Sequence, residues 1–350
     1  MADRGSIRAC PRPDPFPSSS TPTVPRPALH VSATHGRVEI LLWLTAMVTG
    51  TASIVWGAER FAEHVAAASK RLGVTAFALA VLLAGAEPEE LATVVTASAR
   101  DVGGVAFGDV IGANAAIVTI ALGVGAWIVT IPFGRTIRRY AVGGLLTGVI
   151  ASAMMWDGQL GRVEGVVLVA AYVVFVGAIW WFERRPPSLG EAAELDEALE
   201  PGGRIGRDLA WVVAGLIALT AGSLVLVEGV RRLTDIEETQ TRLGLTVVGF
   251  ATAFELVVLA WSAGRHGVTD AVVAGVVGSY AYNMTMSLGV GALVSPIRIA
   301  DADLLHLPLL AMLALLALAI VLALRRGSLD RRDAVVMIAG YPVFVLAVVI

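Results

Sequence analysis

The sequence predicts an all-α integral membrane protein with ten transmembrane helices, arranged as two inverted five-helix repeats with helices broken near the bilayer midplane. Three observations predict this class: an apolar composition, recurring segments of membrane-spanning length, and motifs shared by the two halves. Of the 350 residues, 56% are hydrophobic and only 16% are charged, whereas soluble domains carry about 25% charged residues. The net charge of −3 gives no reason to expect a nucleic acid partner.

Enzyme signatures are missing from the sequence. Cys10 is the single cysteine, which excludes an intramolecular disulfide and a thiolate metal cluster. No HExxH, GxSxG or P-loop pattern is present, so the chain is not expected to be an enzyme. Intramembrane hydrolysis lacks any nucleophile–base pair or metal motif and is set aside.

The first 37 residues are predicted to form a disordered tail. Residues 1–37 contain seven prolines and a Ser/Thr run, a composition that cannot bury a core. The tail lacks the apolar segment of a signal peptide. Whether it belongs to the native start of translation stays open at this point.

Ten apolar segments follow the tail. A bilayer core requires about 20 apolar residues in a helix, with a range of about 17–25. The second segment is too long for one straight helix, which indicates a break inside it. The predicted spans are 38–57, 72–99, 104–128, 140–156, 163–182, 209–229, 243–264, 269–294, 304–324 and 334–350.

A long acidic connection divides these spans into two groups of five. We assign residues 38–182 to a first repeat, 183–208 to a cytoplasmic linker and 209–350 to a second repeat. Because five is odd, the second group must cross the membrane with the opposite orientation. The halves share motifs: Arg-Leu-Gly-Val-Thr at 71–75 recurs loosely at 242–246, and Leu-Gly-Val-Gly-Ala occurs at both 122–126 and 288–292. Inverted repeats with interrupted segments point to a secondary transporter and its midplane site.

The distribution of basic residues predicts the orientation. Connections after the odd-numbered spans carry more Lys and Arg than the others, and cytoplasmic loops carry such an excess. We therefore expect a multi-pass protein of the cell membrane with both termini extracytoplasmic.

The stretch Gly85-Ala86-Glu87-Pro88-Glu89-Glu90-Leu91-Ala92-Thr93 places three carboxylates and a proline inside an apolar span. A charge at the centre of a membrane helix costs about 2.5–3.5 kcal/mol on insertion scales, and proline breaks or kinks a helix. Such a combination is tolerated where it faces protein or a water-filled cavity. Glu87 and Glu90 share a face if this turn is helical, and Glu89 would then point toward solvent or a basic partner. The stretch is predicted to be a cation site.

Glu90 and Glu255 lie near the middle of their spans in the two halves, so inverted repeats can bring them together. Hard cations such as Ca²⁺ take six to eight oxygen ligands with carboxylates as anchors. The candidate neutral ligands are oxygens of Thr252, Ser279, Asn283 and Asn114. Because clustered carboxylates repel each other, the same groups can carry a cation in one direction and protons in the other, which is the logic of an antiporter.

At these residues the sequence resembles the cation/calcium exchanger superfamily, which includes the sodium/calcium exchangers. Residues 85–93 resemble the first alpha repeat, G-T-S-L-P-E-L-A-T, and residues 108–114 (Gly-Asp-Val-Ile-Gly-Ala-Asn) resemble its partner motif G-N-V-I-G-S-N. Residues 244–256 and 277–283 resemble the second repeat in the same way. The resemblance implies a ten-helix exchanger with Glu90 and Glu255 as the essential carboxylates. It also implies ligand roles for Ser279, Asn283 and Thr252.

The departures from the family pattern concern neutral ligands. The family's Thr and Ser become Ala86 and Glu87, and later Ser and Asn positions become Ala113 and Ile117. Glu89 competes with Glu90 for the carboxylate position because it directly follows Pro88. These departures put sodium coupling in doubt and favour a proton-coupled or divergent exchanger.

The predicted function is exchange of calcium or a related cation for protons or sodium by alternating access. The alternative is a transport-dead relative that binds cations or stabilises a partner. No resident cofactor is expected, since Ca²⁺, Na⁺ and H⁺ would be transported ions, and the partners are inorganic cations and the lipid bilayer. Asp109 is expected at a helix start, where the helix dipole favours an acid. The repeated glycines are expected to serve helix packing.

Overall fold

The structure is a computed structural model, and it describes residues 33–71, 86–183, 205–267 and 269–350. Contacts divide the chain into two units, Met1–Glu39 and Ile40–Ile350. Of the first unit only residues 33–39 are described, and they form the beginning of a helix. The predicted tail up to residue 32 and most of the predicted linker lie outside the described residues.

The described residues are almost entirely helical. In chain order the first half contains α1 (Ala33–Arg71), α2 (Pro88–Ala99), α3 (Gly103–Ala116), a π turn π1 (Ile117–Ala121), α4 (Leu122–Ile128), β1 (Ile131–Pro132), α5 (Arg135–Met154), β2 (Gln159–Leu160) and α6 (Arg162–Glu183). The second half contains α7 (Ile205–Leu233), α8 (Glu237–Leu243), π2 (Gly244–Val248), α9 (Gly249–His266), α10 (Thr269–Tyr282), π3 (Asn283–Ser287), α11 (Leu288–Val294), β3 (Ile297–Arg298), α12 (Asp303–Arg326), β4 (Ser328–Leu329) and α13 (Arg331–Val349).

Helix α1 is longer at both ends than the span predicted at 38–57. Residues 33–37, predicted as tail, are already helical, and so is the predicted connection 58–71. The last proline of the tail is Pro27, so no proline interrupts the helix at its start. Residues 58–71 are rich in Ala, Glu, Lys and Arg, which have high helix propensity. The expectation that residues 33–37 belong to the disordered tail was wrong, whereas the apolar, membrane-spanning part of α1, Val38–Phe61, agrees with the span predicted at 38–57.

Seven of the described helical stretches are long and apolar enough to cross a membrane, which confirms an all-α membrane protein. The full set of ten spans stays a prediction. Of the predicted second span, 72–99, residues 72–85 lie outside the described part, and α2 covers its last 12 residues. The seven stretches are Val38–Phe61, Gly103–Ile128, Arg162–Phe182, Gly206–Leu233, Glu237–His266, Asp303–Arg326 and Arg331–Val349.

The main core cluster contains buried residues of both halves. The run from α3 to α4 is the most deeply buried of the seven stretches. Helix α4 packs against α13 of the second half, and its counterpart α11 packs against α6 of the first half. The short strands also pair between the two halves, because β1 pairs antiparallel with β4 and β2 pairs antiparallel with β3.

Helix α3 crosses the α8–π2–α9 run at backbone distance because of its glycines. A Cβ built on Gly112 would lie 2.2 Å from the carbonyl oxygen of Leu245, and one on Gly108 would lie 2.7 Å from the Leu245 nitrogen. Small residues allow such close helix approach in membranes. The expectation that these glycines serve packing is confirmed.

The π turns π1 and π3 occupy corresponding positions in the two halves. Each precedes the sequence Leu-Gly-Val-Gly-Ala, at α4 and at α11. Each contains a threonine, Thr119 or Thr285, whose hydroxyl donates to the carbonyl four residues earlier. π turns inside α-helices occur frequently at functional sites.

Candidate cation-binding site

Pro88 marks the start of a helix. Ala86 and Glu87 are not helical, and α2 begins at Pro88, where the missing N–H of proline costs no intrahelical hydrogen bond. Glu87 is the N-cap residue with φ −118° and ψ 82°, and its carbonyl accepts a hydrogen bond from the Leu91 N–H at 3.0 Å. Residues 72–85 lie outside the described residues, so the predicted interruption of a longer helix near Pro88 stays a prediction, and the structure shows that a helix begins at Pro88.

The N-terminus of α2 brings three carboxylates together. One oxygen each of Glu87, Glu89 and Glu90 lies within 4.8 Å of the others. All three side chains are buried, and Glu90 is fully inaccessible. We call these residues the carboxylate group. No Lys or Arg side chain in the described part of the chain forms an ion pair with it.

The expectation for Glu89 was wrong. Glu89 belongs to the carboxylate group and is buried, whereas the sequence suggested that it would face solvent or a basic partner. The reason is local: Glu87 would share a face with Glu90 only in a helical turn, but Glu87 precedes the helix with non-helical backbone. The side chain of Glu87 therefore points in a different direction from the one it would take if Glu87 were part of the helix. Glu89 and Glu90 both belong to the carboxylate group. A site can therefore form here whichever of the two corresponds to the carboxylate of the resembled motif.

Asp109 is a buried acid, and the expectation that it lies at a helix start was wrong. It lies in the middle of α3, fully inaccessible, and not at a helix start. Its Oδ1 accepts a hydrogen bond of 2.9 Å from the hydroxyl of Thr252 on α9. The resembled motif has Asn at the position of Asp109. This substitution of an acid for an amide was the sequence signal that could have identified Asp109 as part of the site. Thr252, a predicted ligand, thus connects the two halves through an acid.

Predicted ligands on α10 and π3 face the first half. The hydroxyl of Ser279 donates to Oε1 of Glu87, and both are buried. The Asn283 amide nitrogen lies 3.5 Å from the Asn114 amide oxygen. Among the described residues, the Asn283 Oδ1 has no hydrogen-bond partner. Ser279 therefore joins the carboxylate group, and Asn114 and Asn283 form a neighbouring amide pair with an available acceptor.

Glu90 has no hydrogen-bond partner for either carboxylate oxygen among the described residues. Asp109 and Glu255 are near enough for their charges to act on Glu90. Glu255 is partly buried on α9 and is not a member of the carboxylate group. The arrangement therefore places acids from α2, α3 and α9 around Glu90, with the three of α2 in closest association.

A buried group of this kind needs neutralisation. An uncompensated charge in a low-dielectric interior is costly, and three neighbouring carboxylates add mutual repulsion. Either protons or a metal cation can supply the compensation. Two oxygens bound to one Ca²⁺ at 2.3–2.6 Å lie at most about 4.6–5.2 Å apart, so oxygens within 4.8 Å can share one ion.

Comparison with known proteins gives concordant results. The family model described as "Sodium/calcium exchanger protein" matches residues 40–181 and 208–350. The putative antiporter CaxA of Alkalimonas amylolytica is 24% identical over 290 residues, which cover 81% of this chain and 91% of the relative. The inner membrane protein YrbG of Escherichia coli strain K12 is 24% identical, with 73% of this chain and 81% of the relative covered.

Solved structures show the same fold. Structures of the sodium-calcium exchanger NCX_Mj, soaked with Na⁺ and Sr²⁺, resemble this chain with a TM-score of 0.56. The similarity covers 88% of this chain and 99% of that one at 19% sequence identity. A second structure of that exchanger, at a lower Sr²⁺ concentration, gives the same TM-score at 20% identity.

Proposed function

The chain belongs to the sodium/calcium exchanger protein family, and from this premise we propose that it is a cation antiporter that exchanges calcium, or a related cation, for protons by alternating access. The observation that carries the proposal is the buried carboxylate group without a basic partner among the described residues. In this proposal Glu90 and Glu255 are the central carboxylates from the two repeats, and Glu87 assists them. No catalysed reaction and no resident cofactor are involved.

Competition for the same oxygens supports exchange. When protons occupy the carboxylate group, its charge is neutralised and it is a poor ligand for a metal ion. When a divalent cation binds, the oxygens must be ionised, so protons leave. A site that must be neutralised by one or the other couples the two flows, provided that it opens alternately to the two sides.

The proposed coordination combines charged and neutral oxygens. Carboxylates of Glu87, Glu90 and Glu255 would anchor the ion, and hydroxyl or amide oxygens would complete the six to eight ligands that Ca²⁺ takes. Ser279 already contacts Glu87, and Asn283 has an available acceptor. The neutral ligands of this proposal are Ser279, Asn283, Thr252 and Asn114.

The replacement of neutral ligands and the presence of additional carboxylates favour protons over sodium as the counter-ion. Ala86, Ala113 and Ile117 replace neutral oxygen ligands of the resembled motifs, whereas Glu87 and Asp109 add carboxylates. Sodium sites depend on such neutral oxygens, and additional carboxylates can carry protons. The proposal therefore assigns H⁺ to the return flow and treats Na⁺ as the alternative.

The proposed architecture is ten spans in two inverted repeats, in the cell membrane, with both termini extracytoplasmic. The corresponding π turns support it, since π1 and π3 precede the same five-residue sequence. The packing between the halves supports it as well, since the corresponding helices α4 and α11 each pack against a helix of the other half, α13 and α6 respectively. In transporters with inverted repeats the site lies at the repeat interface near the midplane, which is the location that we propose here.

Calcium flux into proteoliposomes tests the proposal. We expect uptake driven by an imposed pH gradient and little uptake driven by a sodium gradient. Glu90→Gln, which keeps the size and removes the charge, is expected to abolish uptake. Glu59→Gln is the matched control, because Glu59 is exposed on α1. Normal transport by Glu90→Gln would overturn the assignment, and sodium-driven uptake alone would overturn proton coupling.

A transport-dead, cation-binding relative is the second candidate, and the replaced neutral ligands favour it. Cation-dependent flux in the same liposomes would exclude this candidate. Calcium binding to purified protein without flux under either gradient would establish it instead.

A further inference from the structure

A groove on the membrane-facing surface lies between α5 and α6, and none of the candidate cation ligands lines it. Its volume is about 560 Å³. One wall is a helical stripe of α5 from Arg135 through Val142 to Leu146, and the other is a stripe of α6 from Phe175 to Phe182. These spacings of three and four residues keep each stripe on one face. The groove is thus built from two antiparallel helices.

One end of the groove is cationic and the rest is apolar. Arg135, Arg138 and Arg139 line the end at the start of α5, and all three are exposed. Arg139 lies over the ring of Phe182 with 5.8 Å to the centroid, and Arg138 donates to the Phe133 carbonyl at 3.2 Å. None of the three forms an ion pair with a described side chain.

The surroundings determine what fills the apolar part. Val142, Leu146 and Phe182 are exposed apolar side chains on a membrane protein, so lipid is the solvent that meets them. From Arg135 to Leu146 the groove extends about 16 Å at 1.5 Å per residue. This is close to half of a hydrocarbon core of about 30 Å, which is the depth of one leaflet.

We propose that this groove binds an anionic phospholipid, with the phosphate headgroup at Arg135, Arg138 and Arg139 and an acyl chain along Val142, Leu146 and Phe175. Charge complementarity selects the headgroup, because guanidinium groups bind phosphate oxygens through planar paired donors. Basic pockets between transmembrane helices bind anionic headgroups in this way. The proposal is independent of the transported ion.

Lipid retention tests the proposal. The full-length protein is extracted with mild detergent from vesicles of equimolar phosphatidylcholine and phosphatidylglycerol, and bound lipid is counted by native mass spectrometry. We expect selective retention of phosphatidylglycerol. Each arginine near a membrane surface contributes enough attraction for about a fivefold effect, so replacing all three by Gln should lower the selectivity about a hundredfold. Arg139→Gln alone should lower it about fivefold.

Two matched controls separate the groove from general surface charge. Arg265→Gln removes an exposed arginine that also lies over an aromatic ring, Trp261, but lines no part of the groove; we expect unchanged retention. Leu146→Trp fills the groove and keeps the arginines, and it should reduce retention, whereas Val149→Trp on the same helix should not. Equal losses in each pair would overturn the proposal.

Three other occupants are distinguishable in the same experiment. Displacement of the lipid by free inorganic phosphate at equal concentration would overturn the acyl-chain part of the proposal. If lipid were retained only after the five acids of the linker are neutralised, the chain's own linker would be the group that binds the arginines. If the protein retained no anionic lipid but dimerised through Phe182, the face would bind a second copy of the chain. The five acids are Glu191, Glu194, Asp196, Glu197 and Glu200.

Discussion

Replacing Gly112 by alanine tests how the two halves are held together at the site. A Cβ at this position would lie 2.2 Å from the Leu245 oxygen and 2.7 Å from the Leu245 carbonyl carbon, both backbone atoms of π2. Ordinary van der Waals contact begins at 3.4 Å, so α3 and π2 must separate by roughly 1 Å. That separation would also pull Asp109, on the same helix, away from Thr252.

The size of the effect follows from these distances. Overpacking in a close-packed core costs about 1–3 kcal/mol, and this contact lies at the upper end because neither partner is a flexible side chain. Alanine has a better helix propensity than glycine by about 1 kcal/mol, which offsets part of the cost. We therefore expect a net loss of about 2 kcal/mol in the free energy of unfolding.

The assay is denaturant unfolding in detergent followed by tryptophan fluorescence, with the eight tryptophans as reporters. Gly177→Ala is the matched control, because a Cβ on Gly177 of α6 meets nothing within 4 Å. It should be neutral or slightly stabilising. If Gly112→Ala were as stable as Gly177→Ala, the close crossing of α3 and π2 would be refuted.

Two further predictions concern single hydrogen-bonding groups. Thr252→Val removes the hydroxyl that donates to Asp109. Loss of a hydrogen bond to a carboxylate should lower the free energy of unfolding by about 1.5–3 kcal/mol, whereas Thr220→Val on the exposed surface of α7 should change it little. Equal effects of the two substitutions would contradict a special role for the Asp109 contact. The backbone N–H groups of Asp333 and Arg332, with Arg326, hold the pKa of Asp330 below its usual value. The stabilisation is therefore present above the unfolded pKa of about 3.9 and lost as pH falls through the lower folded pKa. Asp330→Ala should thus lower Tm at neutral pH and have little effect in strong acid, and a pH-independent difference would contradict the capping role.

The membrane class and the location of the acids could be predicted because each has a strong local signal. Charged residues are rare in membrane spans, so Glu87, Glu89 and Glu90 were conspicuous in an apolar segment. Proline at position 88 indicated an interrupted helix, and α2 begins there. The shared Leu-Gly-Val-Gly-Ala sequences correctly marked corresponding elements, α4 and α11.

The side-chain directions could not be predicted, because they depend on backbone geometry and tertiary contacts. The side-chain direction of Glu87 depends on its non-helical N-cap conformation. The spacing of residues along a helix cannot predict the direction of a residue that precedes the helix. The environment of Asp109 depends on how closely α3 approaches α9, and that approach depends on glycines whose partners lie more than a hundred residues away. The π turns continue apolar helical sequence without a distinct local pattern, and the β1–β4 and β2–β3 pairs join elements too short to carry a strand pattern.

Proton release on calcium binding is the most direct test of the account, because competition at the carboxylate group is its central claim. Calcium would be added to purified protein in weakly buffered detergent solution, with the pH change and bound calcium both recorded. We expect protons to be released as calcium binds, less release from Glu87→Gln and Glu90→Gln, and unchanged release from Glu59→Gln. Calcium binding without any release of protons would contradict the account.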